Sequence, residues 1–303
     1  MSQLYARPLN EKKLVEEFLK SCLAYSNKEF GNTVLKILKE ELLIDTVPQH
    51  FSTLNDEKFR HPDYSSDQDC IRLRNIIFEE LFQKTRLTND NDIKLGVGGA
   101  KPENLIKGSQ AIIVTGLPAS GKSSIANKIA DAFGAYIIDP DYAKLKLPEY
   151  FIFGANTVHK ESSAIVRSSN KTEKEKNLLG ACLYHKANIV IPTIGQSLND
   201  IREERDFLKN SNYKVHLVLV SVKREVATSR ALDRFLKDQR YVPLGLVFDG
   251  YANDPVLTYH RTKNDPEWDS YGKINTEGLH PIRLDSSPGS PVERIFATTG
   301  ECL

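Results

Sequence analysis

Gly116-Leu117-Pro118-Ala119-Ser120-Gly121-Lys122-Ser123 decides how this chain is read. It fits G-x-x-x-x-G-K-[ST], a loop whose main-chain N–H groups face phosphate oxygens. Just before it, Ala111 to Thr115 (AIIVT) is an apolar, β-branched run that suits a buried strand. Just after it, Ile125, Ile129, Ala130 and Phe133 recur at helical spacing, and Gly134 supplies a stop. Strand, glycine loop and helix follow in the order the motif needs. The glycines permit a sharp turn with close backbone approach, and the helix N-terminus adds partial positive charge. The expected nucleotide cradle is therefore Gly116, Leu117, Pro118, Ala119, Ser120, Gly121, Lys122, Ser123 and Ser124. Within it Lys122 reaches the β- and γ-phosphates, and Ser123 holds Mg²⁺.

At 303 residues the chain is long enough for a substantial core and two domains. Its composition, 40% hydrophobic and 27% charged, is that of an ordinary soluble protein. A net charge of +1 gives no global electrostatic case for nucleic acid or membrane partners. Cys22, Cys70, Cys182 and Cys302 lack metal-ligand spacing and read as reduced packing residues. No apolar run is long enough to span a bilayer, and the first residues lack an apolar signal core. The expected location is cytoplasmic: a bacterial cytosol, or another cell's cytosol reached by a route without such a signal.

Residues 1–90 read as a helical N-terminal domain. Its stripes are Leu14, Val15, Phe18, Leu19, Cys22 and Leu23, then Val34, Leu35, Leu38, Leu42 and Leu43, then Ile71, Ile76, Ile77, Leu81 and Phe82. His50 and His61 stand alone and read as exposed or structural. The region is expected to be a packing collar, or a surface for a protein partner or self-association. Residues 91–108 read as a linker, with Gly96-Val97-Gly98-Gly99 as a flexible joint. Residues 109–258 read as the phosphate-loop domain and 259–303 as a C-terminal extension with a final strand near Ile282-Arg283-Leu284. Within the domain, NIVIPT (188–193) and VHLVLV (215–220) read as strands, and 198–208 and 225–239 as helices. The charge run 170–176 reads as a solvated face. The fold class is α/β: a mostly parallel sheet flanked by helices, behind a smaller all-α region.

Motor ATPases and GTPases place a magnesium-binding acid on a later strand. Here the two later strands end in Thr193 and Ser221 instead. The available carboxylates, Asp139 and Asp141, end the strand that follows the loop's helix, where ligands of open α/β sheets bind. Asp139 reads equally well as a cap beside Pro140. A small-molecule kinase needs a base for the acceptor hydroxyl, worth roughly 10²–10⁴-fold. It also needs cations over the moving phosphoryl group, where an arginine contributes on the order of 10³–10⁵-fold. Asp141 suits the first role, and Arg234 and Arg240 suit the second; surface ion pairs are the alternative for the arginines.

Through GLPASGKS, IIDPD, GANTVHKESSAI, NIVIPT followed by Gly195, and DRFLKDQRYVP, the chain resembles the zeta-toxin family of P-loop kinases from Ile112 to about Pro243. The resemblance implies transfer of a phosphoryl group from ATP, with Mg²⁺, to the 3′-hydroxyl of UDP-N-acetylglucosamine. By position it implies Lys122 as phosphate lysine, Ser123 as magnesium hydroxyl, Asp141 as general base, and Arg234 and Arg240 as γ-phosphate arginines. It implies Glu161 and Thr193 on the substrate side; Asp139, on the strand tip with Asp141, is expected to bind substrate beside them. Pro192 stands where the family often has an acid, Gln196 where a basic residue often follows, and the stretch between Glu161 and Thr193 is long. Three readings stay open: a sugar-nucleotide kinase, a kinase of another small alcohol or nucleotide, and an ATP-binding interaction protein with altered catalysis.

Overall fold

The structure, a computed structural model, describes residues 8–46, 52–155, 157–167, 177–238 and 240–298. His50, the charge run 170–176 and Cys302 lie outside them.

Its frame is a sheet built from β1 (Gln110–Thr115), β2 (Tyr136–Ile137), β3 (Ile189–Pro192), β4 (Lys214–Ser221), β5 (Ser270–Asn275) and β6 (Ile282–Ser286). The order across it is β2-β3-β1-β4-β5-β6. All neighbours are parallel except β5 and β6. Ile112, at the middle of β1, pairs with Val190 on one side and His216 on the other. The central strands are buried nearly end to end, as a sheet covered on both faces requires.

The helices are α1 (Lys12–Leu23), α2 (Phe30–Thr46), α3 (Asp67–Gln83), α4 (Lys122–Phe133), α5 (Pro140–Lys144), α6 (Tyr150–Phe153), α7 (His159–Arg167), α8 (Leu178–Tyr184), α9 (Leu198–Asn210), α10 (Arg224–Asp238), α11 (Asp254–Thr262) and α12 (Pro291–Thr298). A π-helical turn spans Leu246–Tyr251. α4 and α12 pack together against the sheet, as do α9 and α11. α4 ends at Gly134, whose left-handed φ of 55° closes the helix as the sequence predicts.

The N-terminal helices divide their packing. α1 and α2 build an apolar cluster with α10 and the turn after it. α3 instead sends Leu73, Ile77, Phe78 and Leu81 into the main core. Two expected stripes are corrected here. On α2 the buried face is Val34 and Ile37, with Leu38 packed beside them, while Leu35, Leu42 and Leu43 are exposed. On α3, Cys70 and Leu73 face inward, and Ile71 and Ile76 face solvent. Both helices carry apolar residues on two sides, so composition alone left the rotation about the axis open.

The glycine-rich stretch expected as a flexible joint is tied to the protein. The N–H of Gly99 donates to the carbonyl of Thr85 at 3.0 Å, and Ile93 and Ala100 are buried. The fully buried ammonium of Lys146 gathers Glu80 Oε2 at 2.7 Å and the carbonyls of Lys94 and Val97 at 3.0 Å. The chain end also joins the sheet. β5 alternates buried Ser270, Gly272 and Ile274 with half-buried residues and runs parallel to β4, while β6 lies where a final strand was expected.

Candidate active site

β1 delivers the loop to the carboxyl edge of the sheet. Gly116 takes φ 152°, and a Cβ there would sit 2.5 Å from the carbonyl oxygen of Val220 at the end of β4. No side chain fits, so the loop can pass tight over the sheet only with glycine. Gly121, at φ 88°, turns the chain into α4, whose N-terminus has no side-chain cap. Its first amides are thus open to an anion. Inside the loop, Ser120 Oγ is buried without a hydrogen-bond partner. Ser123 and Ser124 are exposed on the first turn of α4.

The ammonium of Lys122 folds back on the loop, donating to the carbonyls of Gly116 at 2.6 Å and Leu117 at 2.7 Å. Burial lowers its pKa to about 8; nearby Asp139 and Asp141 oppose the shift and Arg234 adds to it. Lysine, both aspartates and the arginine therefore share one field.

Pro140 opens α5 at the tip of β2, and its first turn fixes the acids. Asp139 caps the helix, accepting from the N–H of Asp141 at 2.9 Å. This is the capping alternative weighed from the sequence. Burial and the charge of Asp141 push the Asp139 carboxyl up. Asp141 stands 66% exposed, open to an incoming molecule. Its surroundings desolvate it, which raises its pKa, but Lys144, donating at 2.7 Å, together with Arg234 and Arg240 holds the carboxyl below the ordinary carboxylate range. Two neighbouring carboxyls pushed in opposite directions resemble a paired acid and base.

α10 carries Arg234, and Arg240 follows it, so both charges near one helix end act to lower the Asp141 carboxyl. Thr193 follows β3 directly, its N–H donating to the carbonyl of Val114 at 2.9 Å, at the strand tip between those of β1 and β2. Glu161 is set differently. It is 1% exposed on α7, where Arg74 Nε of α3 donates to its Oε1 at 3.0 Å and Oε2 is buried without a partner.

The structure adds residues that the sequence did not single out. Lys144 lies one turn beyond Asp141, a spacing legible as i,i+3. Thr276, after β5, donates its hydroxyl to the carbonyl of Ser120 at 2.6 Å and so supports the loop. Arg230 holds that segment by donating to the carbonyls of Thr276 at 2.7 Å and Glu277 at 3.2 Å.

A model of the family described as Zeta toxin matches residues 101–252, half of the chain. The chain belongs to the Zeta toxin family. Its enzyme class follows: this Zeta toxin family member is a P-loop kinase. Among solved structures, one described as the PezAT chromosomal toxin–antitoxin system of the human pathogen Streptococcus pneumoniae aligns with a TM-score of 0.52 at 14% identity, covering 76% of this chain and 87% of that one. At that identity the likeness speaks for the fold. The native AvrRxo1-ORF1:-ORF2 complex gives 0.45 at 18% identity, covering 77% and 70% of the two chains. A gluconokinase from Sinorhizobium meliloti 1021 gives 0.32 at 19%, covering 55% and 82%. No curated protein sequence matches the chain significantly.

Proposed function

We propose that this kinase transfers the γ-phosphoryl group of ATP to a hydroxyl of a sugar nucleotide such as UDP-N-acetylglucosamine. The observation that carries the reading is the exposed Asp141 carboxylate, held ionised by Lys144, Arg234 and Arg240 beside the loop lysine. The loop fits a triphosphate: Gly116 leaves no room for a side chain, Ser120 Oγ is buried without a partner, and α4 opens without a side-chain cap. Ser123 offers a hard oxygen to Mg²⁺, which when bound neutralises charge on the phosphates.

Asp141 takes the acceptor hydroxyl's proton as the new O–P bond forms and the bond to the leaving ADP oxygen breaks. Lys122 leaves the two loop carbonyls for the phosphate oxygens. Arg234 and Arg240 offset charge on the moving phosphoryl group. The test is incubation with ATP, Mg²⁺ and UDP-N-acetylglucosamine, with detection of phosphorylated sugar nucleotide. Asp141→Asn is expected to lower kcat by about 10²–10⁴-fold with little change in ATP affinity. Equal turnover by the variant removes Asp141 from the base role.

A second acceptor class is favoured by one specific observation. Glu161, the residue expected to meet the sugar, is buried against Arg74, and Pro192 replaces the neighbouring acid. Another small alcohol or nucleotide would meet a less acidic wall. A screen of acceptors for ADP release that depends on Lys122 separates the two.

A further inference from the structure

We infer that the α1–α2 hairpin braces the phosphate-side arginines, with Glu41 and Tyr241 as positioning residues for Arg240. The inference rests on reading Arg240 as a γ-phosphate cation, and it assigns the N-terminal helices a part in nucleotide binding.

The first observation is a carboxylate in an apolar position. The buried face of α2 runs through Val34, Ile37 and Leu38, and the next residue at that spacing is Glu41, only 5% exposed. A buried carboxylate is costly unless it is hydrogen-bonded. Glu41 accepts a hydrogen bond from the phenol of Tyr241, the residue immediately after Arg240. Burial, then the Glu41 charge, pushes the phenol pKa far up, so the phenol stays a donor. An apolar residue at position 41 would pack there without desolvating a charge. What the carboxylate adds is direction: a charge-assisted bond to one atom at the end of a rigid ring.

The second observation is what else meets at this point. Leu9, Val15, Phe18, Leu19, Val34 and Ile37 form one apolar body with Ala231, Leu232 and Phe235 of α10 and with Leu244 and Phe248 beyond it. Tyr241 packs on the same body, its ring edge against Phe235 at 4.8 Å, and so does Ala119 of the phosphate loop. The loop, the helix carrying Arg234 and the turn carrying Arg240 thus rest on one support, about half of it from α1 and α2. Apolar packing holds these parts near each other; the Glu41–Tyr241 bond fixes the backbone beside Arg240.

A brace acting on γ-phosphate cations separates ATP from ADP, whereas a contact that only stabilises the fold does not. The experiment titrates the full chain, with Mg²⁺, with a non-hydrolysable ATP analogue and with ADP by calorimetry. The variants are Glu41→Gln, Tyr241→Phe and Arg240→Ala. Arg240→Ala is expected to lower analogue affinity and spare ADP. Tyr241→Phe is expected to do the same by about tenfold, and Glu41→Gln by less, since the amide oxygen still accepts from the phenol. ADP affinity is expected to stay within about twofold for both. If Arg240→Ala lowers the ratio while the other two leave it alone, or if those two weaken both nucleotides equally, the brace is refuted. If Arg240→Ala leaves the ratio unchanged, the cation reading itself fails, and the brace goes with it.

Discussion

Lys122 and Asp141 are tuned in ways that set opposite limbs of a pH profile. Burial brings Lys122 down to about 8, so it is charged below that pH and loses its charge as the pH rises through it. Its neutral form attracts phosphate poorly, and kcat/KM for ATP, which reports free-enzyme groups, is expected to fall above about pH 8. The base behaves the other way. Lys144, Arg234 and Arg240 outweigh desolvation and keep the Asp141 carboxyl below its ordinary range, so the acid limb is expected below the usual carboxylate pKa. A rate profile of the wild type checks both limbs; one flat from neutral to pH 9.5 contradicts the assignment of Lys122. These residues were legible in the sequence because local pattern fixes them: a loop motif ties Lys122 to its helix, and a strand ending in Asp-Pro-Asp puts its acids on a strand tip. Glu161 was legible only through the family resemblance, as a substrate-side glutamate. What it faces depends on Arg74, 87 residues away along the chain, and no spacing rule reaches that far.

Among the elements, α3 and the end of β5 show how distant segments condition the site. Arg74 is 11% and Glu161 1% exposed, so deleting the guanidinium leaves a carboxylate buried without its cation. Arg74→Ala is expected to cost about 3–5 kcal/mol in urea denaturation. Adding Glu161→Gln should recover part of the loss, since it removes the stranded charge; no recovery would mean the effect is packing alone. At β5, the hydroxyl of Thr276 fixes the loop carbonyl of Ser120. Thr276→Val is expected to raise KM for ATP about fivefold with kcat little changed, and Thr276→Ser to restore it. An unchanged KM in steady-state assays of the valine variant removes Thr276 from loop positioning. The sequence hid β5 because SYGKIN is polar and its inward residues are small: Ser270 and Gly272 precede Ile274. It hid the rotation of α2 because leucines at 35, 42 and 43 outnumber the apolar residues that are actually buried.

Across the whole molecule, the N-terminal helices have no core of their own: α1 and α2 share one with α10, and α3 shares that of the sheet. The cluster under α10 draws six buried apolar side chains from residues 9–37 and five from residues 231–248. At about 1.5–3 kcal/mol per large side chain, their gross burial, before the entropy cost of ordering the chain, exceeds the whole net stability of a domain, about 5–15 kcal/mol. α3 belongs to the main cluster outright, through Leu73, Ile77, Phe78 and Leu81. Residues 84–101 are bonded to that core rather than hanging between two bodies. Such a chain is expected to unfold as one unit, with a single calorimetric transition whose van't Hoff and calorimetric enthalpies agree. Removing residues 1–46 should then do more than delete a module: it uncovers Ala231, Leu232, Phe235, Leu244 and Phe248 together. An apolar patch of that kind promotes association, so the shortened chain is expected to elute as oligomers and melt well below the full one. A shortened chain that stays monomeric and keeps the full chain's melting temperature would show that α1 and α2 sit on an already complete enzyme. Two separated transitions in the full chain would show the same, because only elements with their own cores melt apart.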